Sequence, residues 1–118
     1  MKREYSFIIP VYNRPDEVDE LLASMTAFTR SIPFEVFIVE DGSTTDCKEV
    51  VDRYADKLDI SYHFKENSGP GDSRNYGMRN AKGNYYIILD SDVIMPANYL
   101  EVVDKALEEN KPAAIQGR

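Results

Sequence analysis

A chain of 118 residues with 42% apolar residues, 8 Tyr and 5 Phe carries enough branched and aromatic material for one compact domain, which excludes a disordered chain. Its 14 Lys and Arg stand against 21 Asp and Glu, for a formal charge of -7, and no basic run interrupts that balance, so nucleic acid is not an expected partner. An anionic small ligand is not excluded, because beyond a screening length of about 8 Å only local charges act.

The single cysteine, Cys47, cannot close an internal disulfide, and no CxxC pair or Cys/His cluster offers a zinc site. It reads as a small apolar filler. Met1-Lys2-Arg3-Glu4 leads into a short apolar run rather than a signal-peptide core, and no apolar stretch approaches the roughly 18 residues of a membrane span. The expected location is cytoplasmic, with any membrane association carried by regions outside this chain.

Ser6-Phe7-Ile8-Ile9-Pro10-Val11 is continuous, apolar and β-branched, the pattern of a strand buried on both faces. Pro15 suits the first turn of a helix, Asp16 and Glu17 complement its dipole, and Val18, Leu21, Leu22, Met25 and Phe28 form its core stripe. Phe34 to Val39 gives a second buried strand. Ser43-Thr44-Thr45-Asp46 then offers side-chain caps to a helix reaching about Ala55. Ile60, Tyr62 and Phe64 alternate with polar residues, which predicts a half-exposed third strand near the sheet edge.

A Gly/Pro-rich loop from Asn67 to Gly71 precedes a short helix that Gly83 is expected to terminate. Tyr85 to Leu89 is the fourth strand, and Pro96 opens a last helix with Leu100, Val103 and Leu107 inward. Glu101, Asp104, Glu108 and Glu109 read as the solvated face of that helix. After Asn110 and Pro112, Ala113-Ala114-Ile115 begins a fifth strand. The alternation predicts an α/β, Rossmann-like, mostly parallel sheet with helices on both faces.

In such a sheet, ligands bind outside the carboxyl ends of the strands, where strand order reverses. Three strand ends hold the unusual residues: Pro10-Val11-Tyr12-Asn13, Glu40-Asp41-Gly42-Ser43 and Asp90-Ser91-Asp92. Asp90 and Asp92 supply oxygen ligands of the kind Mg²⁺ or Mn²⁺ takes together with phosphates and water. Glu40-Asp41 at a second strand end adds carboxylates that would repel Asp90 and Asp92 without a cation between them. Tyr12 is placed to face a flat base. Arg74 stands where a dinucleotide fingerprint needs its third glycine, so the Asn67–Asn75 segment is no such fingerprint; it reads either as a connector or as a lid carrying Arg74 to a phosphate. His63, the only histidine, reads as a packed or surface residue rather than a general base.

Together, Ile8-Ile9-Pro10-Val11-Tyr12-Asn13, Val39-Glu40-Asp41-Gly42-Ser43, Asn67-Ser68-Gly69 with Arg74-Asn75-Tyr76-Gly77, and Leu89-Asp90-Ser91-Asp92 resemble the family 2 glycosyltransferases with the GT-A fold. The resemblance runs from Ser6 to the final residues and covers that family's nucleotide-binding half. It implies that Pro10 and Tyr12 line the nucleotide pocket, that Asp41, with Glu40 beside it, meets the base, and that Arg74 also contacts the nucleotide. Asp90 would lie near ribose and metal, and Asp92 would be the principal ligand of Mn²⁺ or Mg²⁺. The implied donor is a nucleoside-diphosphate sugar, a UDP-sugar first, and the implied acceptor a sugar or glycan hydroxyl attacking with inversion.

Two positions depart from the family pattern: Glu40 replaces a first aspartate, and Ser73 an alanine. The implied general base matches no residue here, and the length is short for a catalytic domain of this kind. The resemblance therefore implies a single truncated donor-binding unit over residues 1–118, without its acceptor-binding half and inactive by itself. A non-catalytic nucleotide-sugar-binding module is one alternative. A haloacid-dehalogenase-like phosphatase using the DxD pair is another, although that motif normally follows a first strand.

Overall fold

The continuous apolar runs do become the centre of a sheet. In the computed structural model, which describes residues 3–29 and 31–109, β1 (Tyr5–Val11), β2 (Phe34–Asp41), β3 (Ile60–Lys65) and β4 (Tyr85–Ile88) alternate with α1 (Pro15–Met25), α2 (Lys48–Tyr54), α3 (Pro70–Asn80) and α4 (Tyr99–Glu108). All strand pairs are parallel, in the order β3-β2-β1-β4. The chain steps outward from β1 to β2 to β3 and then returns to the other side of β1. Strand order therefore reverses between β1 and β4, and all four carboxyl ends share one edge.

Strand alternation divides the apolar residues between two layers. Phe7, Ile9, Val11, Val36 and Ile38 pack against Leu21, Leu22 and Met25 of α1, Val50 and Val51 of α2, and Leu100 and Val103 of α4. On the other face Ile8, Phe37 and Val39 pack against Tyr76 and Met78 of α3. β3 is the edge strand expected from its alternation, with Phe64 exposed. His63 is packed: its ring stacks on Phe37 at 4.3 Å and 5°, and its Nδ1 lies 3.4 Å from the Tyr76 hydroxyl. Among the described residues no helix is long and apolar enough to cross a membrane.

Several boundaries differ from expectation for physical reasons. α2 begins at Lys48 after Cys47, which makes no side-chain cap bond; of the four expected caps Asp46 accepts from Lys48 N at 3.2 Å, whereas Ser43 Oγ and the Thr44 and Thr45 N–H groups bond to Asn13 across the loops. Gly83 does not end α3, which closes at Ala81. It lies instead where a Cβ would come within 2.5 Å of Ser6 Oγ, and its N–H donates to that oxygen at 2.8 Å. Pro96 precedes α4 by a turn, its carbonyl accepting from Tyr99 N at 3.0 Å. The fifth strand expected at Ala113–Ile115 lies outside the described residues.

Asp104 is not part of a solvated face. Its Oδ1 accepts from Arg3 Nε and from the Tyr5 hydroxyl, both at 2.7 Å, which pins α4 to the start of β1. The Arg3 bond, joined by the Tyr5 bond, outweighs burial and holds the Asp104 carboxyl below the usual carboxylate range. A depressed folded value contributes stability above the unfolded value of about 3.9 and loses it as pH falls. Acid unfolding should therefore steepen below about pH 4, and Asp104→Asn should flatten that limb in a denaturation series against pH.

Ser73, on the buried side of α3, is fully enclosed, and its Oγ has no hydrogen-bond partner among the described residues. A buried hydroxyl left unpaired is a net cost. Ser73→Ala should raise the unfolding free energy by about 1 kcal/mol in urea denaturation.

Candidate nucleotide and metal site

At the carboxyl edge of the sheet the loops after β1 and β2 are bonded to each other. Asn13 takes φ 54°, a left-handed conformation that asparagine tolerates. There its N–H donates to Ser43 Oγ at 2.8 Å, and its Oδ1 accepts from Thr44 N and Thr45 N, both at 2.9 Å. The turn that carries Tyr12 is thereby fixed against the end of β2.

Glu40 and Asp41 are neighbours in sequence, yet alternation sends their side chains to opposite faces. Glu40, expected beside the nucleotide, is fully buried on the α1/α2 side. Its carboxylate accepts from the Ser43 hydroxyl, from Cys47 N at 2.9 Å, from Cys47 Sγ at 3.2 Å and from the Tyr62 hydroxyl at 3.1 Å. Burial and then this carboxylate push the Cys47 thiol and the Tyr62 hydroxyl well above their ordinary values, keeping both as proton donors. Glu40 is thus a loop anchor rather than a ligand contact. Cys47 is fully buried, as a filler should be.

Asp41 faces the α3 side. Its Oδ1 accepts from Lys65 Nζ at 2.7 Å and Ser68 N at 2.9 Å, and its Oδ2 from Gly69 N at 3.0 Å. Burial raises its carboxyl, but the Lys65 bond and the two backbone N–H groups prevail and leave it below the ordinary range. The Asp41 carbonyl holds Asn67 Nδ2 at 2.9 Å. Gly42 permits this closeness: its φ is +69°, and a Cβ there would lie 2.6 Å from Asn67 N. Lys65 was missed by sequence reasoning, although parallel pairing sets it opposite Asp41.

Two adjoining clefts open on this edge and share Pro10. The first, of about 290 Å³, is lined by Pro10, Val11, Tyr12, Asp41, Asn67 and Gly69. Tyr12 is 51% exposed and supplies a flat wall. The second, of about 370 Å³, is lined by Pro10, Arg14, Glu17, Arg74, Asp90, Ser91 and Asp92. Arg74 stands on α3 itself rather than on a lid.

The carboxylates are consequently divided. Asp41 lines one cleft, Asp90 and Asp92 the other, and Glu40 neither. Among the described residues no group of three or more His, Cys, Asp or Glu is gathered as a metal site, and Glu40 and Asp41 do not join Asp90 and Asp92 in one cleft as expected. What remains is two exposed aspartates, which with Arg74 make no hydrogen bond or ion pair among the described residues. Two hard oxygen donors with open lone pairs fit Mg²⁺ or Mn²⁺ completed by phosphate and water. Arg14 and Glu17 escaped the sequence reading, which saw only a dipole match in Glu17. Arg14 donates to Asn13 O at 3.0 Å and lies 3.6 Å from Glu17 Oε1, which also accepts from Ser91 Oγ at 3.1 Å.

Known proteins share this chain's sequence pattern and fold. An uncharacterized glycosyltransferase of Rickettsia felis is 40% identical over 105 residues, covering 89% of this chain and 17% of that protein. The structure of Staphylococcus aureus TarS 1-349 in complex with UDP-GlcNAc superposes with a TM-score of 0.82 at 32% identity, covering 92% of this chain and 32% of that one. The mannosyltransferase PcManGT of Pyrobaculum calidifontis, in complex with GDP-Man and Mn²⁺, shares the fold with a TM-score of 0.79 at 24% identity, over 95% and 33% of the two chains. The chain thus spans a third or less of these relatives, and its sheet is that of the GT-A fold. The family model for glycosyl transferase family 2 matches residues 6–118, and the chain belongs to that family.

Proposed function

We propose that these residues form the donor side of a sugar-transferring enzyme that binds a nucleoside-diphosphate sugar, a UDP-sugar first, together with Mn²⁺ or Mg²⁺. The observation that carries this reading is the pair of clefts meeting at Pro10, one flat-walled and partly apolar, the other lined by charges. A base and a diphosphate are joined in one ligand with that same division. UDP-GlcNAc in the TarS complex gives the donor class its support.

In this reading the Tyr12 ring stacks on the base. A carboxylate has about four lone-pair positions, and Asp41 uses three on Lys65, Ser68 and Gly69, which leaves one to accept an N–H from the base edge. Arg74 supplies planar N–H donors to phosphate oxygen. Asp92, with Asp90 beside it, would hold the cation. When bound, the cation supplies Lewis-acid stabilisation of the charge that develops on the departing diphosphate. An acceptor hydroxyl forms the new bond to the anomeric carbon as the bond to diphosphate breaks, with inversion, and its proton passes to a base that is not assigned among the described residues. The acceptor in this reading is a sugar or glycan hydroxyl.

Mn²⁺ should tighten UDP binding by about tenfold or more in calorimetry, and Asp92→Asn should abolish the difference between Mn²⁺ and chelator. Equal affinity of the unmodified protein in both conditions would sink the metal assignment. Tyr12→Ala should weaken uridine binding by about tenfold even in chelator, since a stacked base is worth about 1–3 kcal/mol.

A further inference from the structure

Glu17 sits in the first turn of α1, where an acidic side chain is ordinarily explained by the helix dipole alone. Its contacts exceed that explanation. One oxygen, Oε1, accepts the Ser91 hydroxyl at 3.1 Å from a residue 74 positions away and lies 3.6 Å from Arg14 Nε. Arg14 is itself fastened to the Asn13 carbonyl at 3.0 Å. A polar chain thus runs from the loop after β1, through α1, to the loop after β4. It bridges the two strands between which the sheet's order reverses.

Ser91 is the residue between the two exposed aspartates, so a tether on Ser91 restrains both. Without it, the Asp90–Asp92 segment has no other side-chain bond among the described residues. Partners that orient metal-binding carboxylates commonly matter about as much to affinity as a tenfold change. From this geometry we infer that Glu17 is a positioning residue: through Ser91 it sets Asp90 and Asp92 for the cation, and through Arg14 it fixes a guanidinium at the same cleft for the diphosphate. The inference rests on the donor reading given above.

The test is calorimetric titration of UDP, with Mn²⁺ and with chelator, into the unmodified chain, Glu17→Ala, Glu17→Gln, Ser91→Ala and the Glu17→Ala/Ser91→Ala double variant, each checked by thermal melting. Glu17→Ala and Ser91→Ala should each weaken Mn²⁺-dependent binding by about tenfold, with the double variant no worse than Glu17→Ala alone. The loss in Ser91→Ala should be smaller in chelator than with Mn²⁺. Glu17→Gln, whose amide oxygen still accepts the Ser91 hydroxyl, should recover most of the affinity. Additive losses, or equal losses with and without Mn²⁺ in Ser91→Ala, overturn the inference, as does unmodified affinity in Glu17→Ala. If Glu17→Ala melts early, Ser91→Ala and Glu17→Gln decide the matter. An unmodified chain indifferent to Mn²⁺ overturns the donor reading and this inference with it, whereas Mn²⁺ dependence that survives every variant overturns this inference alone.

Discussion

The carboxyl edge of this sheet depends on two consecutive carboxylates, Glu40 and Asp41, that strand geometry turns to opposite faces. Burying a charge is costly unless it is hydrogen-bonded, and each is bonded by a different loop. Glu40 takes donors from Ser43, Cys47 and Tyr62, so it holds the β2–α2 loop and the edge strand together. Asp41 takes donors from Lys65, Ser68 and Gly69, so it holds the segment that leads into α3. The walls of the Tyr12 cleft and the start of the helix carrying Arg74 inherit their positions from these bonds. Because most of their lone pairs are committed, neither carboxylate is placed to be a main metal ligand, and in the proposed reading that role falls to Asp90 and Asp92.

The strands were legible because a doubly covered sheet demands unbroken apolar runs, and Phe7-Ile8-Ile9 is fully buried on both faces. The placement of Tyr12, Asp90 and Asp92 at one edge followed from parallel topology alone. Local rules failed where tertiary partners outbid them. Ser43, Thr44 and Thr45 have the composition of helix caps, but Ser43 Oγ accepts from Asn13 N and donates to Glu40, and the Thr44 and Thr45 N–H groups donate to Asn13 Oδ1, so of the expected caps Asp46 alone reaches the first turn. Asp104 looked solvated on its own helix, and only the approach of Arg3 and Tyr5 removes it from water. The reading of Glu40-Asp41 as one acidic cluster neglected a signal that was present, since adjacent residues of a strand cannot both face one crevice.

The two departures from the family pattern have different standing. Glu40, where the resemblance expects aspartate, has the extra methylene on a carboxylate that reaches both Cys47 N and the Tyr62 hydroxyl. Its length is therefore matched to its partners. Ser73, where alanine is expected, brings an oxygen that none of the described residues satisfies, and the described contacts offer no reason for it.

Charge in the second cleft bears on how the proposed donor would be held. Arg14 and Arg74 stand there against Glu17, Asp90 and Asp92, so the cleft by itself carries more negative than positive charge and disfavours a diphosphate. Charges that line one cleft act over less than a screening length of about 8 Å, so salt weakens the effect without erasing it. A divalent cation at Asp90 and Asp92 reverses the local sign, after which both arginines act with it rather than against the carboxylates. The division of carboxylates between the two clefts would sharpen this dependence: Asp41, already paired with Lys65, lines the other cleft, so a cation in the proposed site would answer mainly to the two aspartates and to the residue that tethers the serine between them.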